Sequence, residues 1–251
     1  MNGLVRGSVV GSDTEVHISR DGINALVVPE WAEQFDPDWF DPDYWGERAV
    51  PVSSGGRGSA WFIERPEQDW VLRRYRRGGL IARVSESAYV FLGENKTRSF
   101  AEFRLLQKLH NLGLPVPKPI SAAYVRQGPT YSASIIIERL TGAVAWGDCL
   151  SGSADSKNWE IVGRLIRAFH DQGLDHADLN CFNVLLKHDE GFLIDFDRSV
   201  IRHKPSAPGK GWQASNLERL HRSLVKVVEQ AGEPLSTVDN GWPKLLKAYF
   251  A

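Results

Sequence analysis

Two carboxylates and an amide at fixed spacing constrain this chain more than any other feature. His176-Ala177-Asp178-Leu179-Asn180-Cys181-Phe182-Asn183 is followed by Val184-Leu185-Leu186, a polar turn at His188-Asp189-Glu190-Gly191, and then Phe192-Leu193-Ile194-Asp195-Phe196-Asp197. The apolar triplets either side of the turn read as a β-hairpin. Moving a γ-phosphoryl group onto a hydroxyl needs one carboxylate to orient the acceptor and take its proton. It also needs oxygen ligands that hold Mg²⁺ against the nucleotide phosphates. In H-x-D-x-x-x-x-N the Asp is the base and the Asn a metal ligand, which assigns those roles to Asp178 and Asn183. Asp195, ending the second strand of the hairpin, supplies the second metal-binding carboxylate. Each fragment arises by chance in many proteins, and the competing reading makes Asp178 and Asp195 solvated turn residues. Their order, with an apolar hairpin between them, favours phosphoryl transfer.

A chain of 251 residues can bury a substantial core, and the length suits one two-lobed unit better than two independent domains. Its net charge of −1 gives no global field that would attract nucleic acid. The two cysteines, Cys149 and Cys181, lie far apart without metal-type spacing, so a disulfide is not expected and a reducing cytoplasm fits. Met1-Asn2-Gly3-Leu4-Val5-Arg6 lacks the apolar run of a signal peptide, and no segment has the length of a membrane span.

Upstream, residues 30–47 interleave Trp31, Phe35, Trp39, Phe40, Tyr44 and Trp45 with four aspartates. Asp36-Pro37 and Asp41-Pro42 favour turns or short helical starts, so the segment reads as a strap packed by its aromatic rings, in preference to a sugar-binding shelf. Val50-Pro51-Val52 and Ala60-Trp61-Phe62-Ile63 read as strands flanking Gly55-Gly56-Arg57-Gly58. Glycines in such a turn let backbone N–H groups approach phosphate oxygens. A plain hairpin is the alternative, since the third glycine of a full nucleotide loop is missing. The strand Trp70-Val71-Leu72-Arg73 places Val71 and Arg73 on one face and Trp70 and Leu72 on the other. Arg73 is the candidate phosphate clamp, with Arg74 in that role if the register shifts by one.

Residues 97–109 carry Phe100, Phe103, Leu106 and Leu109 at helical steps, with Glu102 beside Phe103. Glu102 is either the partner of the strand arginine or an ordinary surface residue. A buried strand over 133–140 leads into a linker at Thr141-Gly142. An amphipathic helix over 159–170 then delivers the chain to the His176 loop, and helices over 216–231 and 242–250 close it.

Glycine turn, basic strand, acidic helix, linker, H-x-D-x-x-x-x-N and D-F-D, in that order, resemble the lipopolysaccharide kinases. The similarity is greatest to those acting on Kdo (3-deoxy-D-manno-octulosonic acid). Its most specific parts are Gly55-Gly56-Arg57-Gly58, Val71-Leu72-Arg73-Arg74-Tyr75-Arg76-Arg77-Gly78-Gly79-Leu80, His176-Ala177-Asp178-Leu179-Asn180 and Leu193-Ile194-Asp195-Phe196-Asp197-Arg198. The resemblance implies an α+β, protein-kinase-like fold. Its β-rich N-terminal lobe would span residues 1–140, with the glycine-rich loop and hinge. Its mainly helical C-terminal lobe would span 141–251, with the catalytic loop and metal site.

The resemblance further implies ATP and Mg²⁺ as cofactors, and ATP-binding roles for Gly55, Gly56, Arg57, Gly58, Arg73, Glu102 and the hinge residues Glu138 and Leu140. The implied reaction is phosphorylation of the 4-OH of Kdo on a lipid A precursor. The implied place is the cytoplasmic face of a bacterial inner membrane, with the protein peripheral and without an obligate protein partner. The chain departs from eukaryotic protein kinases at Arg73, where they carry lysine, at Asp197, where they carry glycine, and in lacking an A-P-E segment.

From residue 57 to 104 ten Lys/Arg face six Asp/Glu, a local excess of four positive charges. Arg74, Arg76, Arg77 and Arg83 are therefore candidates for meeting the Kdo carboxylate, lipid phosphates or an anionic bilayer. A solvated strand edge protected by arginines explains the same pattern. Two other functions remain open on sequence. One is a kinase of another acceptor, such as a core heptose or an aminoglycoside. The other is a catalytically silent scaffold, against which stands the presence of all three of Asp178, Asn183 and Asp195.

Overall fold

The structure, a computed structural model, describes residues 15–52, 59–75, 89–150, 156–203 and 207–251. Gly55, Gly56, Arg57 and Gly58, and likewise Arg76, Arg77 and Arg83, lie outside the described residues. The chain divides into two compact units, Met1–His110 with Pro117–Thr141, and Asn111–Val116 with Gly142–Ala251.

The first unit is built on one antiparallel sheet. Its strands are β1 (Val16–Arg20), β2 (Ile23–Val27), β3 (Ala49–Pro51), β4 (Ala60–Ile63), β5 (Trp70–Arg74), β6 (Tyr89–Val90), β7 (Pro119–Gln127) and β8 (Thr130–Glu138). The spatial order is β1-β2-β7-β8-β5-β4-β3, with β6 also on β8. The expected strands on both sides of the glycine turn are present as β3 and β4, with Ala49 opposite Ile63.

Strand β7 carries no alternation from which sequence could announce it, because the pattern of a strand reports its exposure. Residues 119–124 of β7 are buried without a break, on both faces. The run out of the preceding helix therefore reads as a connection in sequence and is a central strand in the fold.

After the short helices α1 (Pro29–Ala32) and α2 (Pro42–Trp45), helix α3 (Arg98–Asn111) buries Phe100, Phe103, Leu106 and Leu109 completely or nearly so, along the stripe their spacing sets. The strap is two short turns, Pro37–Phe40 and Pro42–Trp45. Each has proline at its start and a preceding aspartate whose side chain accepts a backbone N–H, Asp38 N to Asp36 at 3.0 Å and Asp43 N to Asp41 at 3.3 Å. Its rings pack on the fully buried Trp70, with Trp31, Trp39 and Trp45 at 5.2, 4.9 and 5.9 Å between centroids.

Into this cluster projects Arg65. Its guanidinium lies 3.6 Å from the Trp70 ring centroid and 4.5 Å from that of Trp31, with Trp39 and Trp45 inside 6 Å. Burial lowers the Arg65 pKa from its ordinary value, yet a guanidinium stays charged at physiological pH. The charge is thus held against aromatic faces, an attraction that strengthens as water is removed.

The second unit holds α4 (Ser156–Asp171), α5 (Trp212–Gln230) and α6 (Ser236–Phe250). Its small sheet is β9 (Val144–Ala145), β11 (Val184–Lys187) and β12 (Glu190–Leu193), beside a separate pair of β10 (Leu174–Asp175) with β13 (Val200–Ile201). The β11–β12 hairpin turns over two residues, His188 and Asp189, tighter than the four-residue turn expected, with His188 at φ 52°. Helix α6 begins six residues before Trp242 and carries Pro243 within it.

Helices α4 and α6 pack closely, since Gly241 lies directly against the Trp159 ring where any Cβ would collide. At their far end His170 is 2 % exposed and its Nδ1 lies 2.8 Å from the Tyr249 hydroxyl. Burial drives the His170 pKa down to about 4, because protonation would place a charge among apolar groups.

Replacing Arg65 by Ala is expected to destabilise the protein by about 2 kcal/mol, read from urea unfolding, with Trp fluorescence reporting release of the strap. The His170 pKa gives a pH dependence of defined sign. Below pH 6.5 the unfolded chain takes a proton that the folded chain refuses until about pH 4. Stability is therefore full above pH 6.5 and falls as the pH drops toward 4. His170 alone removes about 2 kcal/mol by pH 5, so a His170→Gln variant should show a flatter stability profile between pH 5 and 7.

Candidate active site

In the first unit, strand alternation on β5 separates two adjacent arginines. Arg74 turns to the strap, where its Nη2 donates to the Phe40 carbonyl at 3.0 Å and meets Asp41 at 3.2 Å. Arg73 turns to α3 and donates through Nη2 to the carboxylate of Glu102, which is 3 % exposed. The Tyr75 hydroxyl, two residues along the same strand face, donates to the same carboxylate. Of the two registers open on sequence, the structure adopts the one that pairs Arg73 with Glu102.

A buried carboxylate is tolerated only when its charge and lone pairs are met, and here arginine and tyrosine meet them together. Tyr75 is a member of the site that sequence did not single out. Its signal was its i+2 position from Arg73.

Glu138 ends β8 opposite Trp70. Its side chain accepts from the Lys118 backbone N–H at 3.3 Å, and its own N–H donates to the Lys118 carbonyl. Leu140 follows, half-buried.

In the second unit the loop that carries Asp178 is held by a network centred on His176, which is 1 % exposed. Its Nδ1 accepts the backbone N–H of Asp178 at 3.2 Å, which requires the proton on Nε2, and Nε2 then donates to the Ile194 carbonyl at 3.1 Å. Burial holds the His176 pKa below its ordinary value, so the ring is neutral and both its nitrogens are spent. His176 is a positioning residue that ties the Asp178 loop to the strand end carrying Asp195.

Asn183 and Asn180 both donate side-chain N–H to the Asp178 carbonyl, at 2.9 and 3.1 Å. The Asn180 side-chain oxygen accepts in turn from the Phe182 and Asn183 backbones. The Ile194 N–H donates to the Asn183 carbonyl at 3.1 Å, which brings the neighbourhoods of all three predicted groups together. Asp195 adopts φ 62°, a left-handed conformation that Asp tolerates better than most residues. The buried Phe196 then packs at 5.2 Å from His176 and 6.1 Å from Phe169.

Helix α5 braces this loop. The Asn216 side-chain oxygen accepts from His176 N at 3.0 Å, Arg219 donates to the His176 carbonyl at 3.2 Å, and the Ser223 hydroxyl accepts from Cys181 N at 3.0 Å. None of these three could be found from periodicity, which marks only the apolar stripe of that helix.

Among the described residues no cluster of three His, Cys, Asp or Glu side chains could hold a metal. One carboxylate, Asp195, and one amide, Asn183, with its N–H already committed to Asp178, offer hard oxygen atoms. Such a pair suits Mg²⁺, which keeps several waters and takes phosphate oxygens.

Comparison with known proteins agrees with this geometry. The model of the lipopolysaccharide kinase (Kdo/WaaP) family matches residues 42–249. The 3-deoxy-D-manno-octulosonic acid kinase of Xylella fastidiosa (strain M12) is 47% identical over 211 residues, covering 84% of this chain and 82% of that protein. The enzyme of the same name from Stenotrophomonas maltophilia (strain R551-3) is 45% identical over 230 residues, 91% and 90% of the two chains. Among solved structures, WaaP in complex with acyl carrier protein superposes with a TM-score of 0.57 at 16% identity, covering 90% of this chain and 88% of that one. Amicoumacin kinase hAmiN in complex with AMP-PNP, Ca²⁺ and Ami gives 0.56 at 14%, covering 88% and 79%. At such identities the structures show the fold alone, which is protein-kinase-like and α+β.

Replacing Asn216 by Ala strips the buried His176 N–H of its acceptor and is expected to cost about 1–3 kcal/mol. Amide hydrogen exchange at His176 should quicken while exchange in the first unit stays unchanged.

Proposed function

This chain belongs to the lipopolysaccharide kinase (Kdo/WaaP) family, and we propose that it is an ATP-dependent kinase that phosphorylates the 4-OH of Kdo on a lipid A precursor during lipopolysaccharide core biosynthesis. The observation that carries the substrate is the identity of 45–47% to Kdo kinases across more than four-fifths of both chains. What supports catalysis is the held loop, in which Asp178 is exposed while its backbone N–H and carbonyl are hydrogen-bonded to His176 and Asn183.

In this reading the Asp178 carboxylate aligns the acceptor hydroxyl and takes its proton. The acceptor oxygen bonds to the γ-phosphorus as the bond to the bridging oxygen of ADP breaks. Asn183 and Asp195 would hold Mg²⁺, which when bound would offset the negative charge of the phosphates. Arg73 contacts the nucleotide phosphates through its guanidinium fork, and Glu102 with Tyr75 fixes the direction of that fork. The hinge backbone at 138–140 receives adenine, and Gly55, Gly56, Arg57 and Gly58 cover the phosphates.

A lipid acceptor places the enzyme peripherally on the cytoplasmic face of the inner membrane. No helix of the described residues is long and apolar enough to cross a bilayer. Arg74 is engaged by the strap, so the contacts to acceptor anions fall to Arg76, Arg77 and Arg83.

The test is transfer from ATP to a purified Kdo-bearing lipid A precursor, read by mass spectrometry. One added phosphate on Kdo is expected from the wild type. Asp178→Ala should lower turnover about 10²–10⁴-fold with nucleotide binding retained, whereas Asp195→Ala should also lose Mg²⁺-dependent nucleotide binding. Full activity in either variant would refute its role.

A further inference from the structure

One aromatic ring of the catalytic loop has no part in the chemistry above. Phe182 is 47 % exposed although both its neighbours, Cys181 and Asn183, are buried. An exposed phenylalanine on a surface needs no explanation by itself. This one sits between the metal-ligand candidate Asn183 and Asn180, whose amide oxygen receives the Phe182 N–H at 2.9 Å and whose amide nitrogen donates to the Asp178 carbonyl. The Asn180 amide thus ties the Asp178 and Phe182 backbones to each other.

The ring forms part of the wall of a hollow of about 240 Å³, together with Gly147, Asp148, Leu150, Val227 and Ala231. Two features show a built wall. A Cβ on Gly147 would stand 2.8 Å from the Phe182 ring, so glycine lets the ring edge settle against the backbone, and the Gly147 N–H donates to the Cys181 carbonyl at 3.0 Å. The next residue back, Trp146, is 1 % exposed and packs on Trp159 at 4.9 Å.

On the opposite side, Val227 continues the α5 stripe of Asn216, Arg219 and Ser223 that braces the loop. The spacings of three, four and four residues keep all four on one helix face. One helix face thus fixes both the loop that carries the base and the wall of the hollow beside it.

The chemistry of the walls selects an occupant. The volume is below the ~300 Å³ at which pockets begin to enclose drug-sized ligands, which suits one ring. The walls are apolar apart from Asp148, the one charged side chain among them. An ionised carboxylate only accepts hydrogen bonds and repels anions, so the hollow disfavours a phosphate or a sugar-acid carboxylate and favours hydroxyl donors. A pyranose offers a flat C–H face with hydroxyls at its rim.

We propose that this hollow is the acceptor subsite, in which Phe182 packs against a pyranose ring of the sugar acceptor and Asp148 accepts hydrogen bonds from its hydroxyls. The proposal rests on the reading of the chain as a kinase of a Kdo-bearing lipid, and it assigns to the hollow a neutral, hydroxyl-bearing face of that glycan. The anionic groups of the acceptor are bound elsewhere.

The experiment measures KM for the Kdo-bearing lipid A precursor in detergent micelles, KM for ATP, and kcat. The variants are Phe182→Ala, Phe182→Tyr, Asp148→Asn and Val227→Trp, the last of which fills the hollow without removing a hydrogen bond. Thermal midpoints control for folding. Phe182→Ala and Val227→Trp should raise the acceptor KM about tenfold or more and leave the ATP KM within about twofold. Phe182→Tyr should retain the wild-type acceptor KM, and Asp148→Asn should raise it several-fold.

An unchanged acceptor KM in both Phe182→Ala and Val227→Trp overturns the subsite, as does an equal rise in both KM values, which marks loop disruption. Transfer by the wild type with those outcomes overturns the subsite alone. No transfer by the wild type overturns the Kdo-lipid reading and the subsite stated for that acceptor with it.

Discussion

A single neutral imidazole organises the second unit. His176 accepts from Asp178 on one nitrogen and donates to Ile194 on the other, so the backbone segments that carry Asp178 and Asp195 are referred to one ring. The ring can do this only while it is neutral. A proton on Nδ1 would turn that acceptor into a second donor facing the Asp178 N–H. The 1 % exposure of His176 is therefore a condition of the arrangement, since burial is what keeps the proton off. The buried Phe196 beside it and the donors and acceptors of α5 complete the enclosure. Asp178, by contrast, is exposed, and its backbone is fixed from behind while its carboxylate faces solvent. The base role proposed for Asp178 needs that combination of a rigid main chain and an open side chain to meet a diffusing hydroxyl.

The first unit solves a different problem, which is how one strand can carry two adjacent cations without leaving either buried and unmet. The period of two on β5 sends Arg73 to α3 and Arg74 to the strap. The strap in turn is fastened by a third cation, Arg65, held by tryptophan faces. Aromatic density in residues 30–47 thus has a structural cause. The rings shield Trp70 and clamp a guanidinium, and this accounts for them without a sugar-binding shelf.

The pieces that sequence made legible were those whose pattern reports a local constraint. Helices α3 and α4 announce themselves because one face is apolar and the other wet, and the hairpin after Asn183 because its strands are short and bounded by turn residues. The loop spacing of Asp178 and Asn183 shows in sequence because it is held locally, by hydrogen bonds of the Asn180 side chain to the Asp178, Phe182 and Asn183 backbones. Other parts depend on partners remote in sequence. β7 is buried on both faces and shows no alternation. Tyr75 joins Glu102 across 27 residues, and Asn216 meets His176 across 40. No local window contains both members of such a pair, and a lone Asn on a helix or a lone Tyr after a strand has many ordinary explanations.

The presence of arginine at position 73 follows from the same geometry. A lysine ammonium is a point charge with rotatable donors, and one carboxylate suffices to direct it. A guanidinium is a plane, and to aim its fork the plane must be fixed as well as the charge. Glu102 meets Nη2, and the Tyr75 ring centroid lies 5.0 Å from the guanidinium carbon while its hydroxyl holds the same carboxylate. Tyr75 thus acts on Arg73 both by facing it and by fixing its partner. In the phosphate-clamp role proposed for Arg73, arginine in place of the usual kinase lysine comes with a third residue, two positions on, that a lysine would not require. Arg73, Tyr75 and Glu102 are therefore one unit of design, and a change of Arg73 to lysine would leave Tyr75 holding a carboxylate with no plane to orient.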